Sequence, residues 1–376
     1  MVKKMRRYQR IFCIVLLIFL AACTPSINED DATLVRLDMT FDGYLNTATI
    51  VTVYHPAGFD ADGLKAQVER FLQEANVIYS AYSEESELYQ VNLKASDEVV
   101  SISPELTEAI RISLEFAELS NGLYDPTVLP LVLLWNIDGS SWFTGGTVPT
   151  QAQIDAVLPL IDYRQVILDQ DNQTVTYLTP GMQLDLGGFS KGYVTYQIYE
   201  LLLAQGIEHA LINIGSSSQM TIGTRVEPFN NPEGTPRFVP QTEEWRIGTK
   251  DPFDPIGIAP AIGSFRLSNK ALSSSGSSQQ YFEVDGRRYH HLYDPFTGYP
   301  IDNELIVVQV ISEDPVGIDS LSTLAYLLGL EEGIRLIESL AGVEAIFVTY
   351  DKEIFHTSGF PSFSLFDTTY RVGLKQ

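Results

Sequence analysis

Cysteine is almost missing from this chain of 376 residues, which holds two, Cys13 and Cys23. From residue 24 onward there is therefore no thiol nucleophile, no disulfide and no sulfur ligand for a metal. That is compatible with an oxidising exterior. Basic residues are also scarce, with 24 Lys and Arg against 48 Asp and Glu. Five of the 24 lie in the first ten residues, and without them the balance is 19 against 48, or −29. No basic footprint is left for a nucleic-acid partner or for electrostatic adhesion to a membrane. Long apolar runs are lacking too. The run Ile11–Leu20 is short of the roughly 20 residues that span a bilayer. Repeats, heptads and low-complexity stretches are absent. What is present is 45% hydrophobic and 11% aromatic residues, a globular composition rather than a disordered one.

The first residues read as processing signal. Lys3, Lys4, Arg6, Arg7 and Arg10 precede the apolar run, and Leu20-Ala21-Ala22-Cys23 follows it. A basic start, a short apolar segment and small residues before a cut describe a secretory signal. The Leu-Ala-Ala-Cys ending resembles that of bacterial lipoprotein signals. It implies a signal over 1–22, acylation of Cys23, and attachment to the outward face of the cell membrane. An acidic tether over 23–38 and a catalytic domain over 39–376 are expected to follow.

Alternating apolar and polar residues over 35–55 predict strands. Leu64, Val68, Phe71, Ala75 and Ile78 fall on one stripe of a helix over 61–79. A second helix is expected to start at Ser103-Pro104, N-cap and first position, and to end near Asn121-Gly122. Met182–Leu186 reads as a buried strand, followed by a helix through Tyr193, Ile198 and Leu202. Residues 211–214, 264–268, 281–284, 305–311 and 345–350 read as strands, 225–243 as a surface loop, and 318–329 and 331–341 as helices. Strands and helices mix without a βαβ rhythm, which favours an α+β fold.

Three segments could carry chemistry. In Arg287–Pro300, two of the chain's five histidines stand side by side at His290-His291, where a strand enters an Asp-Pro and Thr-Gly-x-Pro turn. An imidazole there can serve as a base, or one ring can simply satisfy a backbone carbonyl. In Asp185–Tyr193, a Gly187-Gly188 pair leads into a helix, and Lys191 sits in its first turn. Free backbone N–H groups at such a place suit an anion, although an ordinary strand–helix turn looks the same. The glycine spacing matches neither a Walker loop nor a dinucleotide fingerprint. In Asp319-Ser320-Leu321-Ser322-Thr323, Asp and Thr four apart share a helix face and can offer oxygens to one hard cation; an N-cap Asp is the plain alternative. Ser80–Leu88, Gly122–Val128 and Ser273–Gly276 complete the set as lesser segments, with turn punctuation the plain alternative for each.

Together, D-L-G-G-x-x-K-G, H-H-x-x-D-P-x-T-G-x-P and D-x-x-x-T resemble, in order and spacing, the ApbE family of FAD:protein FMN transferases. The resemblance runs from about Phe41 to about Gly329. It implies packed antiparallel sheets with flanking helices, FAD in a cleft as the substrate, and Mg2+ beside its pyrophosphate. By position, Asp319, Thr323 and the Gly188 carbonyl would hold the metal. Leu45, Tyr82, Leu123, Tyr124, Asp125, Asp185, Lys191 and Leu292 would contact FAD. His291 would activate a Thr or Ser hydroxyl of a target flavoprotein, which takes FMN as AMP leaves. The family's N-x-G-G-N here reads Asn213-Ile214-Gly215-Ser216-Ser217, and its T-S-G reads Ser274-Ser275-Gly276. FAD hydrolysis to FMN and AMP would use the same residues, and a flavin- or solute-binding lipoprotein would need only the pocket.

The anchor is testable directly. Cys23→Ala is expected to move the protein from the membrane fraction to the soluble or uncleaved pool, as read by fractionation and mass spectrometry. Unchanged membrane association with normal cleavage would refute acylation at Cys23.

Overall fold

A computed structural model describes residues 33–137, 144–229, 237–254 and 256–373. Cys23 and the expected signal lie outside the described residues. The folded part begins ahead of the expected boundary at 39. Val35–Tyr44 is already a strand, with Val35 paired to His55, so the last residues assigned to the tether belong to a sheet.

That sheet has nine strands. In spatial order they are Val35–Tyr44, Thr47–His55, His209–Ile214, Ser218–Ile222, Ala271–Gly276, Leu305–Ser312, Val343–Thr349, Glu353–His356 and Arg371–Val372. Neighbours are antiparallel except the last pair. Side chains alternate between its two faces. On Val343–Thr349, Ala345 and Phe347 face the main core, while Ile346 and Val348 enter a second one.

Most of the helices among the described residues cover the main-core face. The helices are named α1 (Ala61–Tyr79), α2 (Glu87–Lys94), α3 (Pro104–Leu119), α4 (Leu129–Trp135), α5 (Gln151–Val157), α6 (Ser190–Ala204) and α7 (Ile318–Glu338). α1 and α6 pack on the first half of the sheet, and α7 on the strands from Ala271 to Thr349. The other face is covered by a three-stranded sheet of Trp245–Thr249, Gly263–Leu267 and Ser364–Leu365. Its Ile247, Phe265 and Leu267 meet Leu272, Ile311 and Ile346 of the large sheet. The α+β architecture of packed, mostly antiparallel sheets and flanking helices therefore stands.

Local expectations fare unevenly. Ser103 caps α3 through Leu106 N, with Pro104 at its start. α7 breaks at Gly329 (φ 77°, ψ −177°), where the sequence reads as two helices. On α1 the buried stripe is Leu64, Val68, Leu72, Ala75 and Tyr79, one step round from Phe71 and Ile78. Residues 225–243 are not simply loop, because Val226–Phe229 and Arg237–Pro240 form a hairpin. Its prolines hide the alternation that marks a strand. Ser273–Gly276 is not a turn before a strand but lies within one. Ser80–Leu88 is turn as far as Ser86, which caps α2 through Tyr89 N, and its last two residues open that helix.

Met182–Leu186 is extended and buried at alternate residues, but it is no ladder strand. Apart from a bridge of Gln183 to Val128 and the bonds of Met182 N to Thr179 O and Asp185 N to Pro126 O, its backbone is held by a side chain. The Asn92 carboxamide accepts from Leu184 N (2.8 Å) and donates to Leu184 O (2.9 Å), and Tyr177 OH donates to it as well (3.0 Å). Asn92 thus fixes the segment that delivers Asp185. Asn92→Ala is expected to destabilise the protein by about 2–4 kcal/mol, since it strands buried backbone groups. Urea unfolding checks this, and a loss below about 1 kcal/mol would show that water replaces the carboxamide.

Candidate active site

Period two on the strands and period 3.6 on α7 converge at one point. Ser218 shares the helix-side face with Met220 and Ile222, and Ser273 and Ser275 share it with Ala271. Above them α7 begins at Ile318 and presents Asp319, Ser322 and Thr323. The Asp319 carboxylate is only 5% exposed. Its Oδ1 accepts from Ser218 Oγ (2.8 Å) and Ser273 Oγ (2.6 Å), and its Oδ2 accepts from Gly192 N (2.7 Å) and Ser218 Oγ (3.0 Å). Gly192 must be glycine here, because a Cβ would lie 2.9 Å from Asp319 Cγ.

Hydroxyls link the two expected metal ligands. From Asp319 the chain runs through Ser273 to Ser322 (2.9 Å), Ser275 (2.8 Å) and Thr323 Oγ1 (3.1 Å). Ser320, next to Asp319 on α7, donates to the Gly188 carbonyl at 3.0 Å and lies 3.1 Å from Tyr124 OH. Burial pushes the Tyr124 phenol up to about 12, so it stays a neutral hydroxyl. The cluster fits a hard cation on two counts. Three donor protons occupy a carboxylate with about four lone-pair sites, which leaves one open. Carboxylate, hydroxyl and carbonyl oxygens are also the donors such an ion takes. Among the described residues, no Lys or Arg pairs with Asp319.

A second group lies beside Gly188. Asp185 is half-buried. Desolvation raises its pKa against the opposing pull of Gly187 N, Lys191 and Tyr82. Tyr82 OH is 3.4 Å from its Oδ2, Gly187 N is 2.7 Å from its Oδ1, and Asp185 N donates to Pro126 O. Lys191 Nζ donates to Gly187 O (2.9 Å). Asp125 follows Leu123 and Tyr124, and its carboxylate is spent on folding. It accepts from Thr127 N and Oγ1 and from Tyr163 N, so its backbone is what remains for a ligand.

The two histidines have opposite surroundings. His290 is buried, and both its ring nitrogens are engaged. Leu292 N donates to Nδ1 (3.2 Å), and Nε2 lies 3.0 Å from Ile301 O, so Nε2 carries the proton. Desolvation, with His291 nearby, pushes it down to about 3. His291 is half-buried, and its Nδ1 lies 3.4 Å from Gln280 O. A proton on Nδ1 leaves Nε2 free to accept. Desolvation pushes His291 down to about 4, opposed by Gln280 and aided by the positive Lys191. Leu292 is buried, and its carbonyl accepts from Ile301 N. Leu45 stands apart in the turn between the first two strands, at φ 51°, with its N–H on Asn76 Oδ1.

A sequence model described as the ApbE family matches residues 45–347. The chain belongs to the ApbE family. An FAD:protein FMN transferase of Klebsiella pneumoniae is 33% identical over 314 residues, covering 83% of this chain and 90% of that one. One from Treponema pallidum is 30% identical, covering 78% of this chain and 79% of the relative. The crystal structure of an ApbE protein from Thermotoga maritima superposes with a TM-score of 0.71 at 27% identity, over 86% of this chain and 97% of that one. The family match takes in the Asp319 cluster, the Asp185 group and both histidines.

Sequence reasoning missed Ser218, Ser273, Ser320, Ser322 and Gly192. The alternation of Ser273 and Ser275 in a strand was the available signal. The family's second glycine, here Ser216, lies in a turn at φ 60° and is exposed. A serine there carries the roughly 1–2 kcal/mol strain of the left-handed region.

Because Asp319 satisfies three buried donors, its removal should disturb the fold as well as the site. Asp319→Ala is expected to lower stability by about 2–4 kcal/mol, and Asp319→Asn by less. Denaturant unfolding of both, without added metal, measures this. Equal stability of wild type and Asp319→Ala would show that the hydroxyls repartner.

Proposed function

We propose that this protein transfers FMN from FAD to a Thr or Ser hydroxyl of a target flavoprotein, releasing AMP, with Mg2+ held by Asp319, Thr323 and the Gly188 carbonyl. The observation that carries the reading is the family match itself, which takes in two features. One is a buried carboxylate served only by neutral donors. The other is a half-buried imidazole with a free nitrogen. Mg2+, when bound, would supply positive charge against the pyrophosphate. The protein's own groups do the rest. The acceptor oxygen forms a bond to the FMN-side phosphorus as the bridging P–O bond breaks, and AMP carries away the electron pair. His291 Nε2 takes the hydroxyl proton. Lys191 and the Gly187-Gly188 turn position the phosphates. The flavin undergoes no redox change. The acylated Cys23 is proposed to hold the enzyme on the outward face of the cell membrane, where its acceptors would reside.

The test incubates the purified protein with FAD, Mg2+ and a candidate acceptor. Flavin fluorescence on the acceptor band in a denaturing gel, with an FMN adduct by mass, is expected. Free FMN and AMP with no labelled acceptor would replace transfer by hydrolysis. Flavin binding without turnover would leave only a binding protein. His291→Ala is expected to cut transfer by about 10²-fold or more with FAD affinity little changed, while His290→Ala lowers stability. Because burial keeps His291 neutral down to about 4, the wild-type rate should hold from pH 7 to about 5 instead of falling through 6.5. Wild-type transfer by His291→Ala would remove this residue from the chemistry.

A further inference from the structure

Tyr293 carries a hydroxyl that the protein itself does not use. The residue is 5% exposed, and among the described residues its OH has no hydrogen-bond partner. The residue is fixed in place. Its backbone bridges to Pro300, and its ring packs among Leu131, Ile154 and Phe282, with Trp135 at 6.3 Å between centroids. Any hydroxyl on such a ring has little freedom to seek a partner elsewhere. Burial raises its pKa, with Tyr82 and Asp185 acting in the same direction. At neutral pH it keeps its proton and is a donor awaiting an acceptor. His291 stands two residues earlier in the chain.

An unmade hydrogen bond in the interior is a standing penalty on the free protein. The hydroxyls around Asp319 are bonded, as Ser218, Ser273, Ser320 and Ser322 are. We propose that the Tyr293 hydroxyl is a binding contact for the flavin nucleotide, donating to one of its oxygen acceptors beside Asp185 and Tyr82. The inference rests on the reading of FAD as substrate. It makes Tyr293 a residue that trades stability of the empty protein for affinity. The alternative partner is a buried water that serves the hydroxyl in both states.

Tyr293→Phe removes the hydroxyl and keeps the ring against Trp135. The Kd for FAD in the presence of Mg2+, followed by flavin fluorescence, is expected to rise about threefold to tenfold, the weight of one neutral hydrogen bond. The Tm without FAD is expected to rise by about 1–3 °C as the unpaired group is lost. Tyr79 is the internal control. It is a second buried phenol without a partner, set among Tyr193, Glu105 and Glu87. Tyr79→Phe should raise Tm and leave the Kd for FAD alone. An unchanged Kd in Tyr293→Phe, or a lower Tm without FAD, would overturn the inference, because the hydroxyl would then be partnered within the protein or by water. Failure of the wild type to bind FAD would overturn the functional reading first and this one with it. Wild-type binding matched by the variant overturns this one alone.

Discussion

The buried carboxylate of Asp319 is the constraint on which the rest of the site depends. A carboxylate taken out of water must be met by donors or a cation. Here α6 supplies a backbone N–H, and two strands supply one serine each. One side chain therefore ties the start of α6, the start of α7 and the middle of the nine-stranded sheet to a single point. The donors are neutral, so the negative charge is shared out but not cancelled. A cation arriving here meets a carboxylate already oriented and still short of positive charge.

The large sheet makes that arrangement possible. With helices on one face and a small sheet on the other, the strands Ala271–Gly276, Leu305–Ser312 and Val343–Thr349 in the middle of the sheet are largely buried on both sides, and their side chains are committed to one layer or the other. Ser273 and Ser275 are forced toward α7. Ser274, between them, accepts from Gln309 Nε2 on the opposite face (3.2 Å), and Gln309 is met there by Thr249 (2.7 Å). A register slip of one residue would exchange these roles and dismantle the hydroxyl chain. Ile311, Ile346 and Val348 hold the register through the second core.

The histidine pair shows how neighbours in sequence acquire different work. His290 spends both nitrogens on the backbone of the segment it belongs to, and its ring stands edge-on to Tyr326 at 5.8 Å. It holds the turn. His291 uses one nitrogen and keeps the other. Asp125 follows the logic of His290, its carboxylate committed to a local turn at Thr127 and to the distant Tyr163 N, while Asp185 keeps one oxygen toward Tyr82.

Some of this was legible in the sequence because it is local. The cap at Ser103, the break at Gly329, the alternation of 35–55 and the Asp319–Thr323 spacing depend on φ/ψ preference and helix period, which a few adjacent residues set. The family-like motifs belong with these, since each is a short run with fixed spacing. Other features were decided only in three dimensions. Met182–Leu186 reads as a ladder strand, yet it is held by Asn92, some 92 positions away from Leu184 in the chain. The serines around Asp319 come from positions 101 and 46 residues distant, and serine in isolation signals a turn as readily as a buried donor. Hydrogen-bond satisfaction is a property of the whole interior. Sequence therefore named the carboxylate and the imidazole, and tertiary packing chose which groups would surround them and which lone pairs would remain free.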